Sequence, residues 1–559
     1  MSWVLGVFGG TTSFEKNRYL KDGNACLLKD GRIFCAIAEE RISRIKHDGN
    51  YSRAVRYCLE AAGIGLEDIE LVVFSNCCDL PLDPHSSNGL GISSNRVSNI
   101  PSHHFSHAYL AQKMSGFNDC NVIVMDNEGN IIGEKTDHEY YWKNRLERNS
   151  YYCLSNRELS LFSRDCEDVD TIGVGDTYHY FTHYLGWHSY TFAGRVMGLA
   201  AYGNREAYKQ VELFAIDGNG NIRSNIRNNR IKKELEVRKT GWRFGVDFGP
   251  PRLKGEGISR RHENLSALIQ NAVERCLKYK VLTLAKQIPT GNICFSGGVG
   301  YNCLANRTIY DLPAVDRIFV PYCPGDEGQS IGNALWGFCE VLGGDADPSI
   351  KSPFNGKPYS QKIILETLQS FKGLISWEKR ADFLRVAAEE IANGKIIGWF
   401  QGRSECGNRA LGNRSILADP RIENIQPVLN RIKGRESFRP FSPSILAEHS
   451  KEYFGLDIEC PYMSTVGFAT ELAKSTVSGV IHVDGSSRIQ TVRSSDNEVL
   501  HDLISEFLKM TGVPLLVNTS FNISAEPIVE SPTDGISSFL RMDLDMLVID
   551  KYVIYKRSK

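Results

Sequence analysis

The 559-residue chain lacks several features that mark particular classes of protein. No apolar run approaches the roughly 18 residues that a membrane-spanning helix needs. Lys and Arg (65) nearly balance Asp and Glu (66), so the basic excess typical of nucleic-acid-binding and membrane-surface proteins is missing. The 15 cysteines show no Cys-x-x-Cys spacing, which argues against a zinc ribbon or a disulfide framework. We therefore expect a cytoplasmic protein with reduced thiols, and neither a membrane nor a nucleic acid as its partner.

The chain does contain alternating strand-like and helix-like segments, without internal repeats or low-complexity tracts. Short β-rich runs such as WVLGVF and NICFS are separated by amphipathic stretches, for example NLSALIQNAVERCLKYKVLTLAKQI. Residues 343–362 are rich in Gly, Pro, Asp and Ser, and they indicate a boundary. A chain of this length exceeds one hydrophobic core. The sequence therefore predicts an α/β or α+β protein of at least two domains.

Three of the 13 histidines lie within five positions of the run PSHHFSHAYLAQKM, residues 101–114. Ser102 is a good N-cap, and the residues after the histidines favour a helix. On that helix His103 and His107 are four residues apart, so their rings share a face and could bind one metal ion. A pair by itself is more commonly a polar helix start with ordinary hydrogen bonds, so a metal site needs further ligands.

Two carboxylates could complete such a site. Asp126 follows the apolar run NVIVM and is expected to project from the end of a strand, and Asp326 lies in the Gly-rich loop of PYCPGDEGQSIGNALWGF. Two imidazoles and two carboxylates form a mixed nitrogen and oxygen set that suits Fe(II), Mn(II) or Zn(II). Each Asp alone is more commonly a cap or turn residue. The metal prediction therefore depends on how the four side chains are arranged in space.

A second candidate site is the glycine-rich loop of CFSGGVGYNCLANR, residues 294–307. Gly297 and Gly298 follow a buried strand, and Asn302 precedes a helix. Glycines let backbone N–H groups approach phosphate oxygens, and a helix start adds positive potential, so these three residues are candidate nucleotide contacts. A tight turn between a strand and a helix needs glycine in any case, so both interpretations stay open.

The last third of the chain contains a basic segment between residues 403 and 439. Eight Lys or Arg stand against four acids, a local charge of +4. Phe438 is the single aromatic residue there, so a stacking platform for nucleic acid is not predicted. Clustered guanidiniums better fit a small polyanion such as phosphate, although a solvated basic face is the alternative. The basic residues are Arg403, Arg409, Arg414, Arg421, Arg431, Lys433, Arg435 and Arg439.

Nine runs taken together resemble the O-carbamoyltransferase family, which includes nodulation carbamoyltransferases and the tobramycin and cephem antibiotic enzymes. They occur in order over almost the whole chain: AIAEERISRIKHDG, HHFSHA, GRVMGLAAYG, SGGVGYNCLANR, PGDEGQSIGNA, GRSECGNRALGNRSILADPR, IKGRESFRPFSPSILAE, HVDGSSRIQTV and NTSFNISAEPIVESP. The resemblance implies an actin-like ATPase-type domain of two similar halves over residues 1–345, like the tRNA threonylcarbamoylation protein Kae-one. A linker (346–362) and a YrdC-like α/β domain (363–559) are then expected to follow.

The resemblance also implies an activity. Carbamoyl phosphate and ATP combine at the YrdC-like domain to give carbamoyl adenylate in that family. The Kae-one-like domain then passes the carbamoyl group to a hydroxyl of an acceptor, here expected to be a small natural product. The implied co-substrates are ATP and carbamoyl phosphate, and the implied cofactor is a divalent metal, Fe(II) by resemblance, with Mg²⁺ accompanying ATP as an alternative. A homodimer is compatible with this interpretation.

The family's functional residues can be transferred position by position. Its metal ligands correspond to His103, His107, Asp126 and Asp326. Its contacts to carbamoyl phosphate correspond to Arg409, Lys433, Arg435 and Arg439, and its nucleotide contacts in the second domain to Arg488, Ser520 and Asn522. The triplets K-G-R and S-F-N in this chain are similar to the K-x-R and S-x-N signature of YrdC-like proteins.

One departure from the family bears on the transfer step. Members usually carry a His-Asp pair where this chain has YLKDGNACLL, so Lys21 stands in place of His and Asp22 remains. A lysine is ordinarily protonated and cannot accept a proton unless its pKa is lowered, so a histidine at 47, 183 or 188 could substitute for it. Lys21 and Asp22, with Lys433 and Arg439, are the candidate catalytic residues. The alternative functions are a threonylcarbamoyl-type tRNA modification enzyme and a nucleotide- or metal-binding homologue that has lost transfer.

Overall fold

The structure is a computed structural model that describes residues 2–10, 20–77, 90–132, 145–167, 171–217, 220–229 and 231–557. It is a mixed α/β protein, so the predicted class is confirmed. The chain forms two compact units. The first comprises Met1–Ile33, Gly49–Tyr51 and Ile64–Lys351, and the second Phe34–Asp48, Ser52–Gly63 and Ser352–Lys559. None of the helices in the described ranges has both the length and the apolarity that crossing a bilayer requires.

The described strands, in chain order, are β1 (Trp3–Phe8), β2 (Asn24–Lys29), β3 (Arg32–Ala38), β4 (Leu71–Ser75), β5 (Val97–Asn99), β6 (Cys120–Met125), β7 (Ile131–Ile132), β8 (Arg145–Ser155), β9 (Glu158–Glu167), β10 (Phe214–Ile216), β11 (Ile222–Ser224), β12 (Asn292–Ser296), β13 (Arg317–Phe319), β14 (Ile375–Lys379), β15 (Ile397–Phe400), β16 (Arg414–Ala418), β17 (Ser442–Leu446), β18 (Val466–Phe468), β19 (Ser486–Arg488), β20 (Gln490–Val492), β21 (Leu515–Ser520), β22 (Met546–Ile549) and β23 (Tyr552–Lys556).

The described α-helices are α1 (Glu39–Ser43), α2 (Ser52–Ala62), α3 (His103–Ser115), α4 (Val174–Tyr184), α5 (Ala193–Ala200), α6 (Lys233–Arg243), α7 (Arg260–Gln287), α8 (Cys303–Tyr310), α9 (Gln329–Trp336), α10 (Gln361–Ser370), α11 (Phe383–Ala392), α12 (Ile425–Lys433), α13 (Ser450–Phe454), α14 (Glu471–Thr476), α15 (Glu498–Thr511) and α16 (Pro532–Arg541). The long amphipathic helix expected from the sequence is α7.

The first unit is built on two sheets. One has the order β3-β2-β1-β4-β5, and the residues of β3 from Phe34 onward belong to the second unit. The other has the order β13-β12-β6-β8-β7, with β9 paired to β8. All six residues of β6 and all five of β12 are buried, the pattern of strands covered on both faces. These continuous apolar runs explain why the sequence shows no period-2 alternation there.

Helix α9 lies directly against β1 because of a glycine. A Cβ atom at Gly6 would overlap the backbone oxygen of Ser330, so only glycine allows this approach. The amide of Asn24 in β2 fixes the same helix start, since Ser330 N donates to Asn24 Oδ1 at 2.9 Å. The start of α9 is therefore held on the first sheet immediately after Asp326.

The second unit contains one sheet with the order β14-β23-β22-β15-β16-β21-β17-β20, beside a ribbon of β18 and β19. Its core includes the fully buried Trp399 and Phe507. Two helices from the N-terminal part of the chain, α1 and α2, also belong to this unit. The assignment of residues 1–345 and 363–559 to Kae-one-like and YrdC-like domains, with a linker between them, stays a prediction.

Candidate functional site

Three parallel strands of the first unit end at the same edge of their sheet. Strand β12 lies between β6 and β13 and is parallel to both. Asp126 directly follows β6, Gly297 directly follows β12, and the segment after β13 leads to Asp326. Ligands of α/β sheets bind at the carboxyl ends of such strands. The strand order thus brings together residues that are far apart in the sequence.

The four predicted metal ligands meet at this edge. Ser102 caps α3, since Phe105 N donates to its Oγ at 3.1 Å, and His103 and His107 follow on one face of the helix. Their Nε2 atoms are 3.2 Å apart. His107 Nε2 is 3.1 Å from Asp126 Oδ2, and His103 Nε2 is 3.2 Å from Asp326 Oδ1. The structure brings the four side chains together, and their role as metal ligands stays a prediction.

The donor set and its electrostatics fit a divalent ion. All four ligand atoms lie within 4.8 Å of one another, and both imidazoles are completely buried. Burial alone would lower the pKa of His103, but the carboxylates of Asp326 and Asp126 outweigh it and raise that pKa to about 10. Burial opposes ionisation of both carboxyls, yet the imidazoles hold the pKa of each below its usual range. The carboxylates are therefore charged and concentrate negative potential where a cation would lie.

The glycine-rich loop borders this cluster. Gly297 has φ +85°, and a Cβ there would overlap the backbone oxygen of Met125. A Cβ at Gly298 would lie 3.0 Å from Asp126 Oδ1, so the loop passes beside that carboxylate. Asn302 has a different position: its Oδ1 accepts from Ala305 N at 3.1 Å, and its amide pairs with Gln270. The structure gives Asn302 a helix-capping role, whereas the two glycines lie at the cluster.

The Lys21-Asp22 segment also lies near the cluster. Asn24 Nδ2 donates to the backbone oxygens of Asp22 (2.6 Å) and Asp326 (2.9 Å), which ties the two loops together. Tyr190 donates its hydroxyl to Asp22 Oδ2 at 3.2 Å, and the Lys21 ammonium lies 4.7 Å from the Tyr190 ring centre. The pKa of Tyr190 is raised well above its ordinary value by burial and then by the nearby aspartates. Tyr190 therefore stays a hydrogen-bond donor.

A second candidate site lies in the second unit, around Lys433. This last residue of α12 is buried, and its ammonium donates to oxygens of Ser520 and Asn522, at 3.2 Å to each side-chain oxygen. It forms no ion pair with a carboxylate of the described residues. Burial, Arg435, Arg439 and Lys46 lower the pKa of Lys433 well below its ordinary value. The cations that act on Lys433 are thus Arg435, Arg439 and Lys46, and of these Arg439 lies 3.9 Å from the carboxylate of Glu436.

Two other predicted contacts, Arg435 and Arg488, form hydrogen bonds of their own within the second unit. Arg435 donates to Asn430 Oδ1 at 2.7 Å and lies 4.3 Å from the Phe441 ring centre. Arg488, at the end of β19, donates to Ser442 Oγ at 3.0 Å. Strand β17, which starts at Ser442, pairs with β21, which ends at Ser520. Arg488 therefore lies at the start of β17, beside the end of β21 that carries Ser520.

Comparison with known proteins decides the family. The family model described as Carbamoyltransferase N-terminus matches residues 15–81 and 92–335, and the one described as Carbamoyltransferase C-terminus matches residues 388–556. The chain belongs to the carbamoyltransferase family. It is therefore an enzyme with carbamoyltransferase activity, and the resemblance inferred from the sequence is confirmed.

Two relatives and one solved structure illustrate the similarity. Nodulation protein NolNO of Sinorhizobium fredii is 33% identical over 603 residues, covering 99% of this chain and 82% of that protein. The 3'-hydroxymethylcephem-O-carbamoyltransferase of Amycolatopsis lactamdurans is 31% identical over 347 residues, 61% of each chain. Full-length HypF in the phosphate- and nucleotide-bound form is 12% identical, covering 62% of this chain and 56% of that chain, with TM-score 0.33. That score is too low to establish a shared fold.

Not all arginines of the basic segment of this carbamoyltransferase surround Lys433. Arg414 is fully buried and donates to backbone oxygens, including that of Gln401 at 2.6 Å. Arg403 donates to Gly356 O at 2.5 Å, and Arg421 pairs with Asp419 at 2.6 Å. These three arginines hold loops in place, which a count of charges along the sequence could not reveal.

Two residues near the candidate sites of this carbamoyltransferase carried no individual signal in the sequence. Tyr190 is one tyrosine among 23, and only folding places its hydroxyl beside Asp22. Lys46 lies far from residues 403–439 in the chain, yet it contributes to the charge around Lys433. It lies in the run AIAEERISRIKHDG, so the similarity of that run to the family was the available indication. Arg409 is half-buried in the loop between β15 and β16, and its predicted phosphate contact stays a prediction.

Proposed function

We propose that this carbamoyltransferase is an ATP-dependent O-carbamoyltransferase that uses carbamoyl phosphate as donor. Carbamoyl phosphate, ATP and water give carbamoyl adenylate, pyrophosphate and phosphate. A hydroxyl of a small-molecule acceptor then attacks the carbamoyl carbon, AMP leaves, and the hydroxyl loses its proton. The printed activity of the cephem relative, an O-carbamoyltransferase, supports oxygen as the accepting atom.

The observation that carries this proposal is the buried cationic group at Lys433. A buried ammonium with neutral acceptors and cationic neighbours is electrostatically unfavourable unless an anion binds there. The phosphates of ATP and carbamoyl phosphate are anions of the required size. Lys433, Arg435 and Arg439 bind them and stabilise the charge that develops on the leaving phosphates. Ser520, Asn522 and Arg488 hold the nucleotide beside them.

The first unit supplies the transfer step in this proposal. A divalent ion, for which we propose Fe(II), would be held by the carboxylates and imidazoles of His103, His107, Asp126 and Asp326 and would supply positive charge to orient phosphate or acceptor oxygens. The N–H groups of the glycine loop next to Asp126 bind phosphate oxygens. Asp22 holds or accepts the proton of the acceptor hydroxyl, and Tyr190 orients the Asp22 carboxylate.

The acceptor is the partner that we propose, rather than a nucleic acid or a membrane. A tRNA-modifying activity would need a broad basic surface, whereas the chain carries a formal net charge of −1. We also propose that the enzyme acts in the cytoplasm, because its chemistry consumes ATP and the cysteines whose side chains are described take part in no disulfide.

Carbamoyl-phosphate-dependent release of pyrophosphate from ATP tests the proposal. We expect Lys433→Met to lower this rate by roughly 100-fold or more, the loss typical of removing one group that stabilises developing charge. Arg431→Met is the matched control, because Arg431 is an exposed cation two residues earlier on α12. It should keep nearly the full rate.

Two results would contradict the proposal. One is pyrophosphate release that does not depend on carbamoyl phosphate, and the other is a Lys433→Met rate equal to that of the wild type. Arg439→Met provides a second variant at a half-buried position, where a substitution is well tolerated, and it should also lower the rate.

A further inference from the structure

The first unit contains a second group of histidine and carboxylate side chains. His183, His188 and Glu234 each offer one ligand atom, and these atoms lie close together. None of them belongs to the cluster at His103. They lie on α4, on the segment after it, and on α6.

The chain is shaped locally to bring the two histidines together. His183 is in the last turn of α4, and Gly186, with φ +80°, ends the helix. Gly186 N donates to His183 O at 2.8 Å, and Trp187 N donates to Thr182 O at 3.0 Å, which is the Schellman arrangement. This turn reverses the chain and returns His188 beside His183.

The carboxylate comes from a helix that packs on α4. Glu234 is the second residue of α6, and it is about one quarter exposed. Glu234 is in the first turn of α6, where the positive end of the helix dipole stabilises a carboxylate. His183 is largely buried and His188 about half exposed, so the group opens to solvent at His188.

The distances within this group match those around a small ion. The two Nδ1 atoms are 3.4 Å apart, and Glu234 Oε1 is 3.4 Å from His183 Nδ1 and 3.8 Å from His188 Nδ1. Bonds of about 2.0–2.2 Å to a tetrahedral Zn²⁺ separate the ligand atoms by roughly 3.3–3.6 Å. The three atoms therefore already have nearly the spacing that a bound ion requires.

Hydrogen bonds can hold the neutral rings in place, because one Nδ1–H donates while the other ring, as its Nε2–H tautomer, accepts at Nδ1. A cation accepts the lone pairs of both rings at once.

We propose that His183, His188 and Glu234 form a second site for a divalent transition-metal ion, of which Zn²⁺ is the representative. Three protein ligands leave a fourth position for water on the exposed side. The rings of His183 and His179 are 4.9 Å apart, and those of His179 and Tyr190 are 5.9 Å apart. The ion thus joins α4 to α6 near Tyr190 and fixes the region that holds Asp22.

Metal stoichiometry tests this site. The full-length chain without a histidine tag is stripped with a chelator, titrated with Co²⁺ or Zn²⁺, dialysed and analysed by mass spectrometry of the metal. We expect His188→Ala to bind one equivalent less than the wild type. Glu234→Gln, which keeps the side-chain shape, should bind that equivalent at least about tenfold more weakly. The Co²⁺ form of the wild type should also show the strong visible absorption of tetrahedral cobalt.

The matched control is His449→Ala, which removes a partly exposed histidine paired with the single carboxylate of Glu452 at 3.2 Å. It should bind as much metal as the wild type. The same comparison is made in the His107→Ala protein. Adding His188→Ala there should also remove one equivalent of metal, whether or not the first cluster still binds its own ion. The metal stoichiometry does not depend on the proposed activity. It would stand even if Lys433→Met released pyrophosphate at the wild-type rate.

Equal metal binding by the wild type, His188→Ala and Glu234→Gln would overturn the proposal. Loss of metal by His449→Ala as well would overturn it too, because binding would then follow any surface histidine. His188 is half exposed, so its substitution should leave the circular dichroism spectrum unchanged.

Discussion

The ammonium of Lys433 shows how one residue can indicate a ligand. Lysines are rarely buried without an acid, and this one has Arg435, Arg439 and Lys46 as its charged neighbours. Its hydrogen bonds to Ser520 and Asn522 fix the position of the charge without neutralising it. The protein carries a local electrostatic cost here, which a bound anion would offset.

This cost gives a pH dependence with a definite sign. Burial lowers the pKa of Lys433 in the folded protein. At pH values between this lowered pKa and the ordinary pKa of lysine, the unfolded chain therefore binds more protons at this residue than the folded protein does. Stability should therefore rise with pH in that window, by up to about 1.4 kcal/mol per pH unit. We expect denaturant unfolding at a series of pH values below the ordinary pKa of lysine to show this rise for the wild type relative to Lys433→Met. Parallel pH profiles for the two proteins would contradict it.

Lys21 differs from Lys433 because an aromatic ring lies beside its ammonium. Its ammonium lies over the face of Tyr190, where a cation is stabilised, and Asp22 accepts from the same tyrosine. A protonated lysine cannot act as a base. Asp22 is therefore the better candidate to receive the proton of an acceptor hydroxyl.

At the scale of elements, helix ends place the candidate ligands. Ser102 starts α3, and His103 and His107 are in its first two turns. Gly434, with φ +61°, ends α12 and follows Lys433 directly. A change at either cap should therefore move a site residue without altering the site residue itself.

Ser102→Ala tests the first of these caps. Loss of an N-cap costs about 1 kcal/mol, and here it also loosens the turn that carries His103. Ser360→Ala is the control, because Ser360 caps α10 in the same way, accepting from Ile363 N at 3.3 Å. We expect similar losses of stability but weaker metal binding only for Ser102→Ala, measured by calorimetric titration. Equal metal binding by both variants would show that the cap does not position the histidines.

Gly434→Ala tests the second cap. No atom within 4 Å would obstruct a Cβ at Gly434, so the cost arises only from the left-handed backbone and should be about 1–2 kcal/mol. Gly373→Ala is the control: it also has an open surrounding, but its φ is not positive. In denaturant unfolding, the free energy of unfolding of Gly434→Ala should be lower than that of Gly373→Ala by about 1–2 kcal/mol. A Gly434→Ala protein as stable as Gly373→Ala would refute the role of the left-handed turn.

At the scale of the whole molecule, the second unit depends on an N-terminal segment. Arg44 donates to the backbone oxygens of Pro527 and Ile528 at 2.8 and 2.7 Å. Tyr57 donates its hydroxyl to the buried carboxylate of Glu530 at 2.5 Å. These contacts come from α2 and from the segment that follows α1, and both helices precede most of the first unit in the chain.

A fragment that begins at residue 352 should therefore be unstable. Without Tyr57 the Glu530 carboxylate loses this hydrogen bond, and without Arg44 two backbone oxygens lose theirs. Together these losses should lower the free energy of unfolding by at least about 3 kcal/mol. Thermal unfolding of residues 352–559 tests this. A version with residues 34–63 attached through a flexible linker is the control and should recover stability. Equal melting temperatures for the fragment and its extended version would contradict the prediction.

The local patterns allowed much of the fold to be predicted. The capped start of α3 and the apolar strands β6 and β12 follow from neighbouring residues alone. The family followed from the order of its motifs. The sequence could not distinguish the arginines that hold loops from those available to bind phosphate. Charge along the chain does not reveal which side chains will reach backbone oxygens, as Arg414 does.

The sequence by itself determined the mixed α/β class, the carbamoyltransferase family and the residue types able to bind metal and phosphate, because these depend on local periodicity and on motifs. Only the tertiary structure decided which of those residues meet. Asp126 and Asp326 lie 200 positions apart in the chain, and Lys46 reaches the surroundings of Lys433 across nearly 400. Strand order and helix packing set such proximities, and both result from burial summed over the whole unit rather than from any short segment.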